Sequence, residues 1–260
     1  MRNAPLLFLS FCVVFAAPLA AQPPPQRDPQ AIVILQRSVV AMGGVVPSDS
    51  VATGNIQIVA GSKTENGRIR ILTRGVDQAA EQIQTSEGSR VLVYSRGSAA
   101  EIEGTSTKSL SLELAASSRS PTFPFCLIAS ALNNADSAFQ YLGLETLDGQ
   151  PAHHIRFGNT FASSPRLQHL AEFSVKDLWV DSVTGLPRKL AYDRRAGGGA
   201  EPRIPVAVFY SDYRNIGGVL YPFLIQKSFN GTPWATITIQ QVTFNTGLTD
   251  NDFPVQEGAI

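Results

Sequence analysis

The sequence predicts an α+β fold: an antiparallel sheet of about ten or eleven strands, with one N-terminal helix and one helical insertion. Three observations predict it. The spacing of apolar residues changes from 3.6 to 2 near Val51, as expected where a helix gives way to strands. Glycine recurs about every ten residues from there on, which is typical of hairpin turns. A proline-bracketed segment with helical spacing interrupts the strands in the middle of the chain.

Residues 1–21 have the three parts of a secretory signal peptide. Arg2 provides a positive start, residues 6–17 are uncharged and apolar, and a small residue, Ala21, ends the segment. A retained membrane anchor is the alternative, but the apolar run is shorter than the roughly 20 residues that a spanning helix needs. Lipid attachment at Cys12 is not expected, because bulky Phe11 precedes it.

The remaining chain predicts a short linker at residues 22–27 and a single domain at residues 28–260. This length suffices for one sizeable core. Once the signal peptide is removed, Cys126 is the only cysteine, so an intrachain disulfide cannot form. Basic and acidic residues balance at 21 each, which gives no electrostatic footprint for nucleic acid or anionic membrane. We therefore expect a soluble monomer.

The predicted N-terminal helix begins at Asp28 and Pro29. An aspartate side chain can cap free backbone N–H groups, and proline is well tolerated in the first turn. Apolar residues at three- and four-residue spacing follow on one face: Ile32, Leu35, Val39 and Met42. Two glycines at 43 and 44 end the helix, because glycine readily adopts the left-handed conformation of a C-cap.

The second half of the chain predicts successive hairpins. Asp148-Gly149 and Asn230-Gly231 are strong two-residue hairpin turns. In the last strand the apolar phase slips by one residue at Gln241, which predicts a β-bulge there.

The insertion combines two helical segments, residues 109–118 and 126–132, around Pro121 and Pro124. Its apolar residues could cover the inner face of the sheet and move aside for a ligand. Permanent core packing is the alternative, and exposure of these residues would favour ligand binding. The candidate ligand-lining residues are Leu110, Leu114, Phe123, Phe125, Leu127 and Ile128.

Four segments together resemble the LolA/LolB-type family of exported lipoprotein-carrier domains. An amphipathic helix precedes the first strand. Residues 178–190 (LWVDSVTGLPRKL) resemble a recurrent family hairpin, residues 210–225 (YSDYRNIGGVLYPFLI) a late hairpin, and residues 242–255 (VTFNTGLTDNDFPV) the closing strand and its tail. These motifs cover about a third of the chain, and each is a signature of fold rather than of chemistry.

The resemblance implies a strongly curved half-barrel whose helices plug the concave face. It also implies a periplasmic, non-catalytic carrier that binds lipid or lipoprotein acyl chains, with membrane-associated donor and acceptor proteins as partners. A sensor or protein-interaction module of the same fold, of the RseB kind, is the alternative, since related folds have different functions.

Chemical motifs are sparse, which favours a binding protein over an enzyme. Neighbouring His153 and His154 point to opposite faces of a strand, so a shared metal is not expected. Cys126 is either a nucleophile at a helix start or a small buried hydrophobe. The chain has no G-x-S-x-G and no glycine-rich nucleotide loop, and no cofactor is predicted. An exported hydrolase that uses two carboxylates is the second alternative.

Overall fold

The computed structural model describes residues 26–118, 123–195 and 202–255. Within these residues, one antiparallel sheet of thirteen strands forms an open half-barrel, which confirms the predicted fold class. The strands are, in chain order, β1 Asp49–Ala60, β2 Lys63–Arg74, β3 Gln78–Thr85, β4 Gly88–Ser95, β5 Ser98–Glu103, β6 Ser106–Ser109, β7 Ser137–Leu147, β8 Gln150–Asn159, β9 Lys176–Asp181, β10 Pro187–Arg194, β11 Ile204–Ile216, β12 Val219–Phe229 and β13 Thr232–Phe244.

In the described part of the chain, the helical elements comprise three α-helices and two 3₁₀ helices. They are α1 Pro29–Ala41, α2 Leu112–Ser118, α3 Pro124–Asn133, and the 3₁₀ helices Pro165–Phe173 and Asp250–Asp252. The predicted N-terminal helix is confirmed, with the carboxylate of Asp28 accepting a hydrogen bond of 2.9 Å from the backbone N–H of Gln30. The insertion forms α2 and α3 as predicted. The longer 3₁₀ helix was not predicted.

The sheet runs β6-β5-β4-β3-β2-β1-β13-β12-β11-β10-β9-β8-β7, so the first and last strands of the chain are neighbours at its centre. Its edges are β6 and β7, which are consecutive strands separated by the helical insertion. The sequence predicted two to three fewer strands, because the short β5 and β6 lack a clear alternation of apolar and polar residues.

A β-bulge bends the sheet where its two halves meet. Thr53 pairs with Gln241 and the next residue, Gly54, pairs with Ile239, so Gln240 is the extra residue. The bulge lies one residue from the predicted position. The backbones approach so closely that a Cβ atom on Gly54 would lie 2.2 Å from the carbonyl oxygen of Thr238, which only glycine avoids.

One edge strand is covered by the segment that precedes α1. The backbone N–H of Phe139 in β7 donates to the carbonyl of Gln26 at 2.8 Å, and that of Asp28 donates to the carbonyl of Phe139 at 3.1 Å. The guanidinium of Arg27 also donates to the carbonyl of Asn134 at 2.8 Å. The last two residues of the predicted linker therefore pair with the sheet. This pairing shields an edge that could otherwise accept another strand.

The main hydrophobic core fills the concave face. Ile71 and Ile155 come from opposite halves of the sheet, and both are fully buried with Leu35 of α1 and Ile128 of α3. Because the sheet curves, strands far apart in its order contribute to one core beneath two helices.

The C-terminal tail crosses the convex face of the first half. Phe253 packs there against Leu72, Ala80 and Val93. Burial raises the pKa of the Asp49 carboxyl, but hydrogen bonds from the tail residues 246–248 outweigh this effect and hold its pKa below the ordinary value. Ionised Asp49 therefore fastens the tail to β1.

Candidate functional site

The candidate site is a cavity of about 310 Å³ between α2, α3 and the 3₁₀ helix Pro165–Phe173. We call it the first cavity. Its walls are mostly apolar, and the side chains concerned are Tyr94, Leu112, Ala115, Ala116, Leu127, Ala131, Phe157, Phe161, Leu167 and Leu170. Its volume lies at the lower end of the range for small-molecule sites, roughly 300–1,000 Å³.

The wall of this cavity is built from both halves of the sheet. Tyr94 in β4 and Phe157 in β8 both point into the concave side, and curvature of the sheet brings them to one space. Leu167 and Leu170 are three residues apart, so in a 3₁₀ helix they lie on the same side and together close the cavity.

Polar groups also line the first cavity: Asp77, Arg96, Asn134, Ser137, Asn159 and Lys176. Arg96 is more than half exposed, and its guanidinium donates to the Asp250 carboxylate at 2.9 Å. Lys176 is buried, with its ammonium 3.3 Å from the carbonyl oxygen of Ser117 and 4.7 Å from the ring centre of Tyr192. A mostly apolar interior with a few polar groups is the arrangement expected for an amphiphilic ligand.

A second cavity, of about 110 Å³, lies on the same concave face, and its lining combines aromatic and aliphatic side chains with a buried ion pair. The ammonium of Lys227 in β12 donates to both carboxylate oxygens of Glu81 in β3, each at 2.8 Å. Both side chains are at least 90 % buried. Arg90 and Arg194 line the same space. An apolar ligand is disfavoured beside these arginines, because it would remove their charged groups from water without replacing their hydrogen bonds.

The six predicted ligand-lining residues occupy different environments. Leu127 lines the first cavity, and it also lines a small space of about 20 Å³ together with Phe123. Phe125 and Ile128 are completely buried in the main core. Leu110 packs near Tyr94 and Ala115, and Leu114 is half-buried on α2. Their contact with a ligand stays a prediction.

Most residues of the first cavity were not predicted from the sequence. Tyr94 and Phe157 were part of ordinary strand patterns, and nothing local distinguished them from other core residues. A usable signal existed for Leu167 and Leu170, because their three-residue spacing follows Pro165, a residue that is favoured at a helix start.

The histidines lie on opposite faces of β8, as predicted. On the convex face, His154 has its Nδ1 2.7 Å from the Glu145 carboxylate and its Nε2 3.0 Å from that of Asp177. The imidazole ring of His154 stacks on the indole ring of Trp179, with 4.1 Å between the ring centres. The ammonium of Lys189 lies 4.2 Å from the centre of the same indole ring. A hydrogen bond from Trp179, followed by that from His154, holds the pKa of Glu145 below its ordinary value.

The side chains of this convex cluster satisfy one another's hydrogen bonds. In residues 26–118, 123–195 and 202–255, no three His, Cys, Asp or Glu side chains are placed to hold a metal ion.

Cys126 lies in the first turn of α3, partly buried against the main core. Within the described residues, no helix is long and apolar enough to span a bilayer.

The chain forms an open half-barrel with helices across its concave side, an architecture that is also found among solved structures. Among solved structures, it is similar to a LolA superfamily protein from Nitrosomonas europaea, with a TM-score of 0.56, 16% identity and coverage of 86% of this chain and 97% of the other. A domain named as an outer membrane lipoprotein-sorting protein from Vibrio parahaemolyticus gives a TM-score of 0.58 at 15% identity, covering 86% and 96%. The fold is therefore LolA/LolB-like, as the sequence motifs indicated.

A DUF1329 family protein from Desulfovibrio piger has the same fold, with a TM-score of 0.55, 14% identity and coverage of 86% and 97%. No protein-family model matches the sequence, and the comparison with curated proteins gives no significant match. At these identities the likeness defines the fold, and the function has to be argued from the cavities.

Proposed function

We propose that this protein is a non-catalytic carrier that binds lipid or lipoprotein acyl chains in the first cavity. One observation carries the proposal: an apolar space of about 310 Å³ lies between helices on the concave face and has polar groups in its wall. An acyl chain fills such a space favourably, at roughly 0.8 kcal/mol for each methylene group removed from water.

The side chains around the cavity favour binding over catalysis. General acid–base or nucleophilic chemistry needs a reactive group and its partner within hydrogen-bond reach of the substrate. The described wall contains neither histidine nor cysteine. His154 and its two carboxylate partners lie on the opposite face of the sheet, outside this space.

Export is part of the proposal. Residues 1–21 are inferred to be a cleaved signal peptide, which lies outside the described residues, and residues 28–260 to act as one domain in the periplasm. A carrier in that compartment would act as a monomer, receiving its cargo from one membrane-associated protein and passing it to another.

Native mass spectrometry of the protein, purified after export and without detergent, tests both the proposed binding of acyl chains and the proposed export. We expect a polypeptide mass that lacks residues 1–21, together with a bound species that organic extraction identifies as a lipid or an acylated peptide.

A cavity-filling variant, Ala116→Phe, should lose the bound species, whereas Val40→Phe on the exposed face of α1 should retain it. A ligand-free mass that persists after incubation with membrane lipids would contradict the carrier proposal. That result would favour a protein-interaction module of the same fold.

A further inference from the structure

Tyr94 stands between the cavities of the concave face. It lines the first cavity, the second cavity and the small space beside Phe123. Among the described residues, it alone lines both the first and the second cavity. Its side chain is almost completely buried and packs against Ala99 of the next strand and Ala115 of α2. The ring of Tyr94 is therefore a shared wall.

The two ends of this side chain have different surroundings. The ring meets Ala115, which also lines the first cavity. Burial, followed by nearby Tyr192 and Glu81, raises the pKa of the Tyr94 hydroxyl well above its ordinary value. Both of these neighbours line the second cavity, whereas Ala115 lines the first. The side chain of Tyr94 therefore lies between the two sets of lining residues.

The volume of the first cavity limits what it can hold. A methylene group is similar in size to a water molecule, whose share of liquid volume is about 30 Å³, so about 310 Å³ holds roughly ten such groups. One medium-length alkyl chain fits. Two or three long chains, as in a diacyl lipid or a triacylated protein, do not fit in this arrangement of the helices.

We propose that the ligand is a single-chain acyl amphiphile of about ten to twelve carbons and that Tyr94 sets this length. The inference rests on the proposed function and adds to it the class of ligand and the residue that selects it. The chain ends against the ring of Tyr94, and its polar end stays near Arg96 and Asn159. Beyond the ring, the ion pair of Glu81 and Lys227 makes the second cavity unfavourable for methylene groups.

The test is a calorimetric titration of the protein with saturated fatty acids of eight to eighteen carbons, each kept below its micelle concentration. For the unchanged protein we expect the tightest binding at about ten to twelve carbons and no further gain beyond that length. In Tyr94→Ala the space of the ring becomes available, and the optimum should move to chains about two to four carbons longer. The longer chains should bind about tenfold tighter for every two methylene groups newly buried.

Two further variants keep the test decisive. Tyr94→Phe retains the ring and removes only the hydroxyl, so its optimum should equal that of the unchanged protein. Ala115→Val adds bulk in front of the ring and should shorten the optimum by about two carbons, a result that does not depend on Tyr94→Ala folding. Circular dichroism identifies the variants that are folded.

The possible failures are distinct. If the unchanged protein binds no fatty acid of any length, the proposed function fails. If it binds chains but the optimum is the same in folded Tyr94→Ala and Ala115→Val, the inference about Tyr94 fails and the carrier proposal stands.

Lysophospholipids titrated in parallel distinguish a free acid from an acylated headgroup as the source of the chain, and tight binding of either supports a single-chain ligand. Tighter binding of a diacyl phospholipid with the same chain length would overturn it.

Discussion

The first and second cavities of the concave face share one wall, but they differ in volume and in the ion pair that the second contains. The first, about 310 Å³, is lined mainly by leucine, alanine and phenylalanine side chains from helices and strand ends. The second, about 110 Å³, lies over the middle of the sheet and contains the buried pair of Glu81 and Lys227. Tyr94 separates them.

The elements that surround the two cavities differ. The first cavity is bounded by α2, α3 and a 3₁₀ helix. The second is crossed by an ion pair joining β3 and β12, which lie four strands apart in the sheet order. We therefore expect substitutions at the first cavity to change binding and substitutions at the second to change stability.

The largest expected effect is on the ion pair. Glu81→Ala leaves the Lys227 ammonium buried without its carboxylate partner, and we expect the free energy of unfolding to fall by about 3–5 kcal/mol. Urea denaturation followed by tryptophan fluorescence measures this change. A loss below about 1 kcal/mol would show that the pair is solvated and that the two cavities do not differ in this way.

The matched double variant sharpens that result. Glu81→Leu combined with Lys227→Met removes both charges and keeps similar volumes, so we expect stability within about 1–2 kcal/mol of the unchanged protein. The same urea titration measures it. A double variant as unstable as Glu81→Ala would mean that the cost comes from packing and not from the unpaired charge.

A smaller effect on stability is expected at the first cavity. Ala116→Phe adds a ring where space exists, so the free energy of unfolding should change by less than about 1 kcal/mol. Adding the same bulk to a filled core would cost about 1–3 kcal/mol. Acyl-chain binding should nevertheless fall at least about tenfold, because roughly two or more methylene sites are lost. Val40→Phe is the control for added aromatic surface. Equal binding by Ala116→Phe and the control would contradict a ligand in this cavity.

The last expected effect concerns the shared wall and is absent at neutral pH. Burial raises the pKa of Tyr94 in the folded protein, whereas an unfolded chain ionises tyrosine near pH 10. Its contribution to stability is therefore complete below about pH 10 and is lost as the pH rises above that value. Tyr94→Phe should reduce the alkaline loss by up to about 1.4 kcal/mol per pH unit. Urea titrations between pH 8 and 11 test this, and identical slopes would mean that Tyr94 ionises freely in the folded state.

Local chemistry was sufficient to predict much of the fold. Asp28 caps the first helix, and residues 148–149 and 230–231 turn hairpins with positive φ at each residue, as predicted. The bulge near Gln241 followed from a slip in alternation. Trp179 lies on the face opposite Leu178, as alternation along a strand requires of neighbouring residues. All of these features depend on neighbours within a few residues.

The site was much less predictable, because it depends on contacts between distant segments. Glu81 and Lys227 are 146 residues apart, and in an alternating strand a carboxylate is more often a solvated residue than part of a buried pair. Tyr94 became a wall only because the curved sheet brings β4 opposite the insertion. Of the six predicted residues, Leu127 alone lines the first cavity, since local apolar spacing identifies burial and not the space beside it.

The central claim, a single acyl chain in the first cavity that ends at Tyr94, is tested most directly by a crystal structure with 12-bromododecanoate. Anomalous scattering from bromine marks the end of the chain. We predict a bromine peak in contact with the Tyr94 ring, at about 4 Å, with the carboxylate near Arg96. A peak beside Glu81 and Lys227, or one outside the concave face, would contradict the account.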